Sequence, residues 1–205
     1  MIIEANQVSS TEIYHTLTQV IIPRPIAWVL SPNDEAGSSH NLAPFSFFNV
    51  VCSDPPILML SIGSKSDGSM KDTCHNLLEY KRCVIHIAAN HQAQMVSDSA
   101  AELARGESEL TLTGQTLMPF DDTGLMRLPD APVALACRLH QHIEVGNRPQ
   151  SLLLVEVERI WIDDAVCGRD AKGRMRFEAD RIKPLARLGG SEYATLGELF
   201  SIRRS

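Results

Sequence analysis

A run of hydroxyl and ammonium side chains coincides with the start of a predicted helix. Within ten positions the sequence places Ser64, Lys65, Ser66, Ser69, Lys71 and Thr73. Helix signals follow from about residue 71 to residue 80, and a helix N-terminus offers unpaired N–H groups and the positive end of the helix dipole. These groups together would form an anion site, most naturally for a phosphate. An ordinary capped helix beside a solvated loop is the alternative, since Ser and Asp are favoured caps.

The extended segment 41–49 is a second candidate site, because it mixes small, aromatic and polar residues. Such a strand could present backbone N–H and C=O groups, together with Ser46, to the edge of a flat heterocycle. The alternative is that Phe45, Phe47 and Phe48 simply pack in the core.

Three potential metal ligands form a third candidate. His140, His142 and Glu144 would share one face of a predicted strand, opposite its apolar face. His and Glu are good zinc ligands, so metal binding is conceivable. A solvated or subunit-facing strand surface is the favoured interpretation, and no metal is predicted.

Cysteine spacing and the absent motifs exclude several classes of site. The five cysteines, Cys52, Cys74, Cys83, Cys137 and Cys167, form no CxxC pair and are widely spaced. Reduced thiols in the cytoplasm are therefore expected rather than a disulfide scaffold or a zinc ribbon. The sequence contains no GxGxxG before a helix, no GxxxxGK[ST], no GxSxG and no HExxH, which disfavours the enzyme classes that depend on them.

Composition predicts one globular domain over residues 1–205. The net charge of -6 and the pI of about 5.6 argue against a general nucleic-acid or membrane-surface binder. No apolar stretch is long enough to span a bilayer. No Lys or Arg precedes Arg24, so a signal peptide is not expected either.

Short strands dominate the predicted elements. Helices are predicted over residues 11–18, 71–80 and 91–105, and strands over 19–31, 41–51, 57–62, 83–89, 133–145 and 153–158. Pro23 and Pro25 place a bend or an edge in the first strand. Alternating apolar residues in the later strands are typical of half-buried sheets. Because helices do not alternate with strands, the pattern favours an antiparallel barrel with peripheral helices over a doubly wound sheet.

Five segments, taken in order, resemble the flavin reductase-like family, close to flavoredoxin. The matching segments are 23–29, 41–49, Pro55 with Pro56, Lys71–Asp72–Thr73 with Asn76, and 185–190 with Tyr193. The resemblance implies a mainly β, Greek-key antiparallel split β-barrel that binds FMN non-covalently and forms a homodimer. It also implies that the segment 41–46 borders the isoalloxazine ring, and that residues 71–73 with the preceding loop hold the phosphate.

The cofactor-binding residues follow from this resemblance. They are Asn41, Ala43, Pro44, Phe45, Ser46, Ser61, Ser64, Lys71, Asp72 and Thr73. No catalytic acid, base or nucleophile is predicted, because the flavin carries the electron chemistry and the protein binds and orients it. A small basic pocket in an acidic protein is expected.

One motif differs from the family pattern and leaves more than one function open. Short-chain flavin reductases often carry Gly-Asp-His on a late strand, where this sequence has Gly146, Asn147 and Arg148. The leading hypothesis is an NAD(P)H-dependent flavin oxidoreductase that supplies reduced flavin to a monooxygenase. Arg148 could pair with the phosphate of NADPH. A flavoredoxin-type electron carrier serving protein partners is the alternative, and a flavin-free barrel is the third possibility.

Overall fold

The structure, a computed structural model, describes residues 1–148 and 150–202. The helices are α1 (Ser10–Val20), α2 (Asp72–Tyr80), α3 (Ala93–Asp98), α4 (Leu110–Thr113) and α5 (Ala179–Ile182). The strands are β1 (Arg24–Pro25), β2 (Ala27–Pro32), β3 (His40–Phe45), β4 (Phe48–Ser53), β5 (Pro56–Ile62), β6 (Arg82–Ile87), β7 (Met118–Pro119), β8 (Met126–Arg127), β9 (Val133–Val145), β10 (Gln150–Ile162), β11 (Cys167–Arg169), β12 (Met175–Phe177), β13 (Ala186–Arg187) and β14 (Tyr193–Ala194).

A seven-stranded antiparallel sheet forms the body of the protein. Its strand order is β3-β2-β6-β9-β10-β5-β4. The edge strands β3 and β4 are consecutive in the chain, and only Ser46 and Phe47 separate them. Because so short a link cannot cross an open sheet, the two edges must approach each other, and the sheet curls into a barrel that is split between β3 and β4. The predicted split β-barrel with peripheral helices is confirmed.

The strand β2 is buried on both faces, because it lies between two apolar clusters. Ala27 and Val29 point into the barrel, where they pack with Leu60 and Leu153. Trp28 and Leu30 point outward, into a second cluster that is closed by α3 and the segment around Phe120. The polar–apolar alternation of a half-solvated strand is therefore absent here.

Several predicted boundaries differ from the structure. The first helix extends to Val20, so the strand predicted over 19–31 begins only at Arg24. The run predicted over 41–51 is divided into β3 and β4. The helix predicted over 91–105 is wrong beyond Asp98. It ends there because the Ser99 hydroxyl donates to the Val96 carbonyl and accepts the Trp28 indole N–H at 2.9 Å, which anchors the turn to the barrel.

No helix in the two described ranges is both long enough and apolar enough to cross a membrane.

Candidate functional site

A pocket lies between β3 and the N-terminus of α2, and the chain that follows α3 covers it. We call it the polar pocket. Its lining residues are Asn41, Ala43, Pro44, Phe45, Lys65, Lys71, Asp72, Thr73, Ser99, Ala100, Ala101, Glu102, Leu103 and Glu109. It therefore joins the two segments that the sequence marked as separate candidate sites.

The two lysines of the polar pocket differ in their partners. Lys65 Nζ lies 2.8 Å from Asp72 Oδ2, and both side chains are largely buried. Lys71 is the N-cap residue of α2, no side chain caps that end of the helix, and no carboxylate among the described residues lies within 4 Å of its ammonium group. A free cation beside uncapped N–H groups is the arrangement that binds phosphate.

A buried hydrogen bond fastens β3 to α2 within the pocket. Asn41 Nδ2 donates to Thr73 Oγ1 at 2.7 Å. Because the threonine oxygen accepts this bond, its own proton remains available to a ligand. One turn further along α2, Asn76 Nδ2 donates to Ser31 Oγ and to Asn33 Oδ1, which ties the helix to the end of β2.

Thr73→Val is expected to lower the free energy of unfolding by about 1–3 kcal/mol, because the buried Asn41 amide loses its acceptor. Thr73→Ser keeps the hydroxyl and serves as the matched control. Urea denaturation of the protein without added ligand measures both values. Equal stability of the Thr73→Val variant and the parent would contradict the role assigned to this bond.

Carboxylates also line the polar pocket, so it is not the simple basic pocket that was expected. The buried Glu109 accepts the Leu42 N–H at 2.8 Å, and burial raises the pKa of its carboxyl group. Glu102 accepts the Ser66 hydroxyl at 2.6 Å, and this bond lowers the pKa of Glu102. Both carboxylates therefore support the walls, holding β3 and the loop before α2 in place.

A second pocket adjoins the first, and we call it the apolar pocket because most of its lining residues are apolar. It is lined by Ile26, Pro44, Phe45, Ser46, Val96, Ala100, Arg187 and Tyr193. Pro44, Phe45 and Ala100 line both pockets. A ligand with an anionic group at one end and a flat, largely apolar body at the other would fit this pair of pockets.

Eight of the ten predicted site residues come together here. Seven line the polar pocket, Asn41, Ala43, Pro44, Phe45, Lys71, Asp72 and Thr73, and Ser46 lines the apolar pocket. Ser61 and Ser64 line neither. Ser61 Oγ lies 3.4 Å from Gln150 Oε1, and Ser64 pairs with Met70 to close the loop. The roles of these residues stay predictions.

Several lining residues are absent from the predicted cofactor-binding set. Lys65 belongs to the hydroxyl and ammonium run that predicts an anion site, but it is not among the residues that the family resemblance implies. The segment 99–103 was interpreted as helix, which concealed its contribution. Glu109 carries no local signal, because its partner Leu42 lies in a distant strand.

The other candidate residues from the sequence line neither the polar pocket nor the apolar pocket. Within residues 1–148 and 150–202, no three metal-ligating side chains come together. His140 instead lies 3.7 Å from Glu156, and His142 lies 3.1 Å from the Ser151 hydroxyl. Asn147 and Arg148 line a separate open cleft with the first turn of α1.

The sequence is similar to known proteins over nearly its whole length. The sequence matches the family described as flavin reductase like domain over residues 20–177. It is 35% identical to the uncharacterized protein YwrF of Bacillus subtilis, over 99% of this chain and 98% of that protein.

Two solved structures share the fold. Nitrilotriacetate monooxygenase component B from Bacillus cereus superposes with a TM-score of 0.88 at 32% identity, covering 98% of each chain. Flavoredoxin of Desulfovibrio vulgaris superposes with a TM-score of 0.74 at 17% identity, covering 98% of this chain and 97% of that one. The second likeness concerns the fold alone, and the resemblance recognised in the sequence is confirmed.

Proposed function

This chain belongs to the flavin reductase-like family of flavin-related oxidoreductases, and from that premise we propose that it binds FMN and transfers a hydride to it from NADH or NADPH. The observation that carries the proposal is the pair of adjoining pockets, one lined by two lysines and the N-terminus of α2 and the other lined mainly by apolar residues with Arg187 among them. FMN has the same polarity, with a phosphate at one end and a flat ring system at the other.

Each end of the site has residues suited to its part of FMN. Lys71, the N–H groups that begin α2 and the Thr73 hydroxyl would hold the phosphate. Pro44, Phe45 and Ser46 would border the ring. When bound, the flavin supplies the two-electron chemistry, so the protein needs no nucleophile of its own.

The electron acceptor is proposed from the similarity to nitrilotriacetate monooxygenase component B, which covers nearly the whole chain. We infer that this protein passes reduced flavin to a partner monooxygenase. We also infer that the chain forms a single domain and that it acts in the cytoplasm. The second inference rests on its five cysteines, which are all free in the structure.

Exposed apolar side chains favour the homodimer implied by the family. Tyr14 and Leu17 on α1 are 53% and 45% exposed, and Val50 and Val51 on β4 are 66% and 53% exposed. The Tyr14 ring lies 6.2 Å from that of Phe47, so α1 lies beside the link between β3 and β4. Sedimentation equilibrium tests the proposal, and a monomeric protein at micromolar concentration would contradict it.

The absorbance spectrum of the purified protein is the primary test of function. After FMN is added and excess removed, we expect flavin bands that bleach when NADH or NADPH is added without oxygen. The nicotinamide that bleaches them faster identifies the donor. A protein that retains no FMN would contradict the cofactor assignment.

An electron carrier of the flavoredoxin type is the second candidate function. Asn147 and Arg148 favour it, because they stand where many flavin reductases have Asp and His and because they line a cleft separate from both pockets. Flavin bands that persist with both nicotinamides, but bleach with a reduced protein partner, would support this carrier over the reductase.

A further inference from the structure

Two arginines lie side by side at the edge of the apolar pocket. Arg24 on β1 and Arg187 on β13 are directly paired in the small sheet β1-β13-β14. Within the described part of the chain, neither guanidinium lies within 4 Å of a carboxylate. Like charges in register on adjacent strands are destabilising, so a pair without a counter-ion requires an explanation.

The end of α1 accounts for Arg24. Its guanidinium donates to the carbonyls of Thr18, Ile21 and Leu188, with the last two at 3.2 and 2.7 Å. The first two belong to the C-terminal turn of α1, where the helix dipole is negative. Arg24 is 7% exposed and therefore serves as a buried cap that joins α1 to the C-terminal segment.

Arg187 has no comparable acceptors. Its guanidinium lies 4.5 Å from the centre of the Tyr193 ring and donates one hydrogen bond to the Gly190 carbonyl. These contacts orient the side chain but do not neutralise its charge. Among the described residues that line the apolar pocket, Arg187 is the one charged side chain.

The residues around Arg187 leave the positive charge of its guanidinium available to a ligand. Five of the eight lining residues are apolar, namely Ile26, Pro44, Phe45, Val96 and Ala100, and the other two, Ser46 and Tyr193, carry no charge that would compensate Arg187. Arg24 places a second positive charge on the strand next to Arg187. Burial of Arg24, together with the charge of Arg187, lowers the pKa of Arg24. A negative charge in the pocket would therefore relieve repulsion as well as gain attraction.

We propose that Arg187 stabilises the negative charge that the flavin ring carries once it is reduced. This inference rests on the proposed function, because it requires the ring to occupy the apolar pocket. A hydride from NAD(P)H carries two electrons and one proton, so its transfer leaves NAD(P)+ and a reduced ring with one additional negative charge. The charge is shared between N1 and the neighbouring carbonyl oxygen, and a planar guanidinium with parallel N–H groups can bind both.

The matched variants are Arg187→Gln and Arg187→Lys, with Arg138→Gln as the control. Gln removes the charge, whereas Lys keeps it. Arg138 pairs with Glu156 and Glu158 on the outer face of the sheet, away from both pockets. For each protein we would measure the dissociation constant of oxidised FMN and the two-electron midpoint potential of the bound flavin from pH 6 to pH 9.

We expect Arg187→Gln to bind oxidised FMN within about threefold of the parent and to lose about tenfold more affinity for the reduced form than for the oxidised form. By linkage, this lowers the midpoint potential by about 30 mV. Arg187→Lys, which keeps the charge but not the parallel N–H groups, should recover part of the difference, and Arg138→Gln should match the parent.

Two results would overturn the inference. One is an unchanged potential in Arg187→Gln. The other is an equal loss of affinity for oxidised and reduced FMN, because that would make Arg187 an ordinary binding residue. If the parent itself bound no FMN, the proposed function would fail first, so the two failures can be distinguished.

Discussion

Lys71→Ala is expected to weaken FMN binding by about 1.5–3 kcal/mol, which is roughly 10- to 150-fold in Kd. The reason is that Lys71 is the lysine of the polar pocket with no carboxylate within 4 Å in the described chain, so its ammonium group can bind a phosphate directly. Fluorescence titration of FMN into the variant and the parent measures the change.

Riboflavin, which lacks the phosphate, makes this experiment specific. Its affinity should be nearly the same for Lys71→Ala and the parent, because the lysine is assigned to the phosphate alone. Lys172→Ala, in the turn between β11 and β12, is the control for a general loss of positive charge. FMN affinity that does not change in Lys71→Ala would place the phosphate site elsewhere.

Lys65 should behave differently from Lys71, although both line the polar pocket. Its ammonium group is paired with the buried Asp72, and removing it would leave that carboxylate without a partner. Breaking a buried pair on one side is costly to the fold, so loss of Lys65 acts on stability as well as on binding. For this reason Lys71 is the cleaner test of the phosphate site.

The stability of the protein is expected to fall by about 2 kcal/mol between pH 7 and pH 5 because of His86 alone. His86 is fully buried and links β6 to two other segments. Its Nδ1 lies 3.1 Å from the Trp28 carbonyl, and its Nε2 accepts the Leu128 N–H at 3.0 Å. An amide can only donate, so Nε2 carries no proton and the ring is neutral.

Burial explains the direction of this effect. It lowers the pKa of His86 from 6.5 to about 4, so the folded protein resists protonation over a range in which the unfolded chain accepts it. The unfolded state therefore binds more protons as the pH falls from about 6.5 to about 4, and stability is lost across that window. His40, whose pKa burial also lowers, contributes with the same sign.

His86→Gln isolates the contribution of His86. The Gln amide offers an NH2 donor group and a carbonyl acceptor but does not titrate in this range. Urea denaturation at pH 7 and pH 5 should show a drop about 2 kcal/mol smaller in His86→Gln than in the parent. His140→Gln, on the exposed face of β9, should keep the parent's drop. An equal drop in His86→Gln and the parent would refute the assignment.

The strands and the phosphate-binding segment could be predicted because their signals are local. Leu153 and Val155 alternate with outward residues, and both are fully buried in the barrel as this pattern predicts. The hydroxyl and ammonium run before α2 reflects the chemistry of a helix N-terminus, which depends on neighbours in sequence. The split barrel was predicted from the order of the family motifs along the chain.

Other features depend on contacts that no local pattern records. The helix after β6 ends at Asp98 because Trp28 reaches Ser99 from another part of the chain. Lys65 and Lys71 belong to the same run in the sequence, and the structure distinguishes them by their partners, because Lys65 contacts Asp72 and the Leu103 carbonyl. The apolar pocket likewise depends on a C-terminal arginine that strand pairing places beside Arg24.

The sequence by itself therefore determined the fold class, the family and most of the residues that surround the two pockets. The tertiary structure decided that the segments 41–46 and 71–73 line two adjoining pockets and which cations there remain without a counter-ion. The physical reason is that periodicity and capping act over a few residues, whereas strand register and barrel closure bring distant residues together. Whether Lys71 and Arg187 are free to bind a ligand depends on that closure.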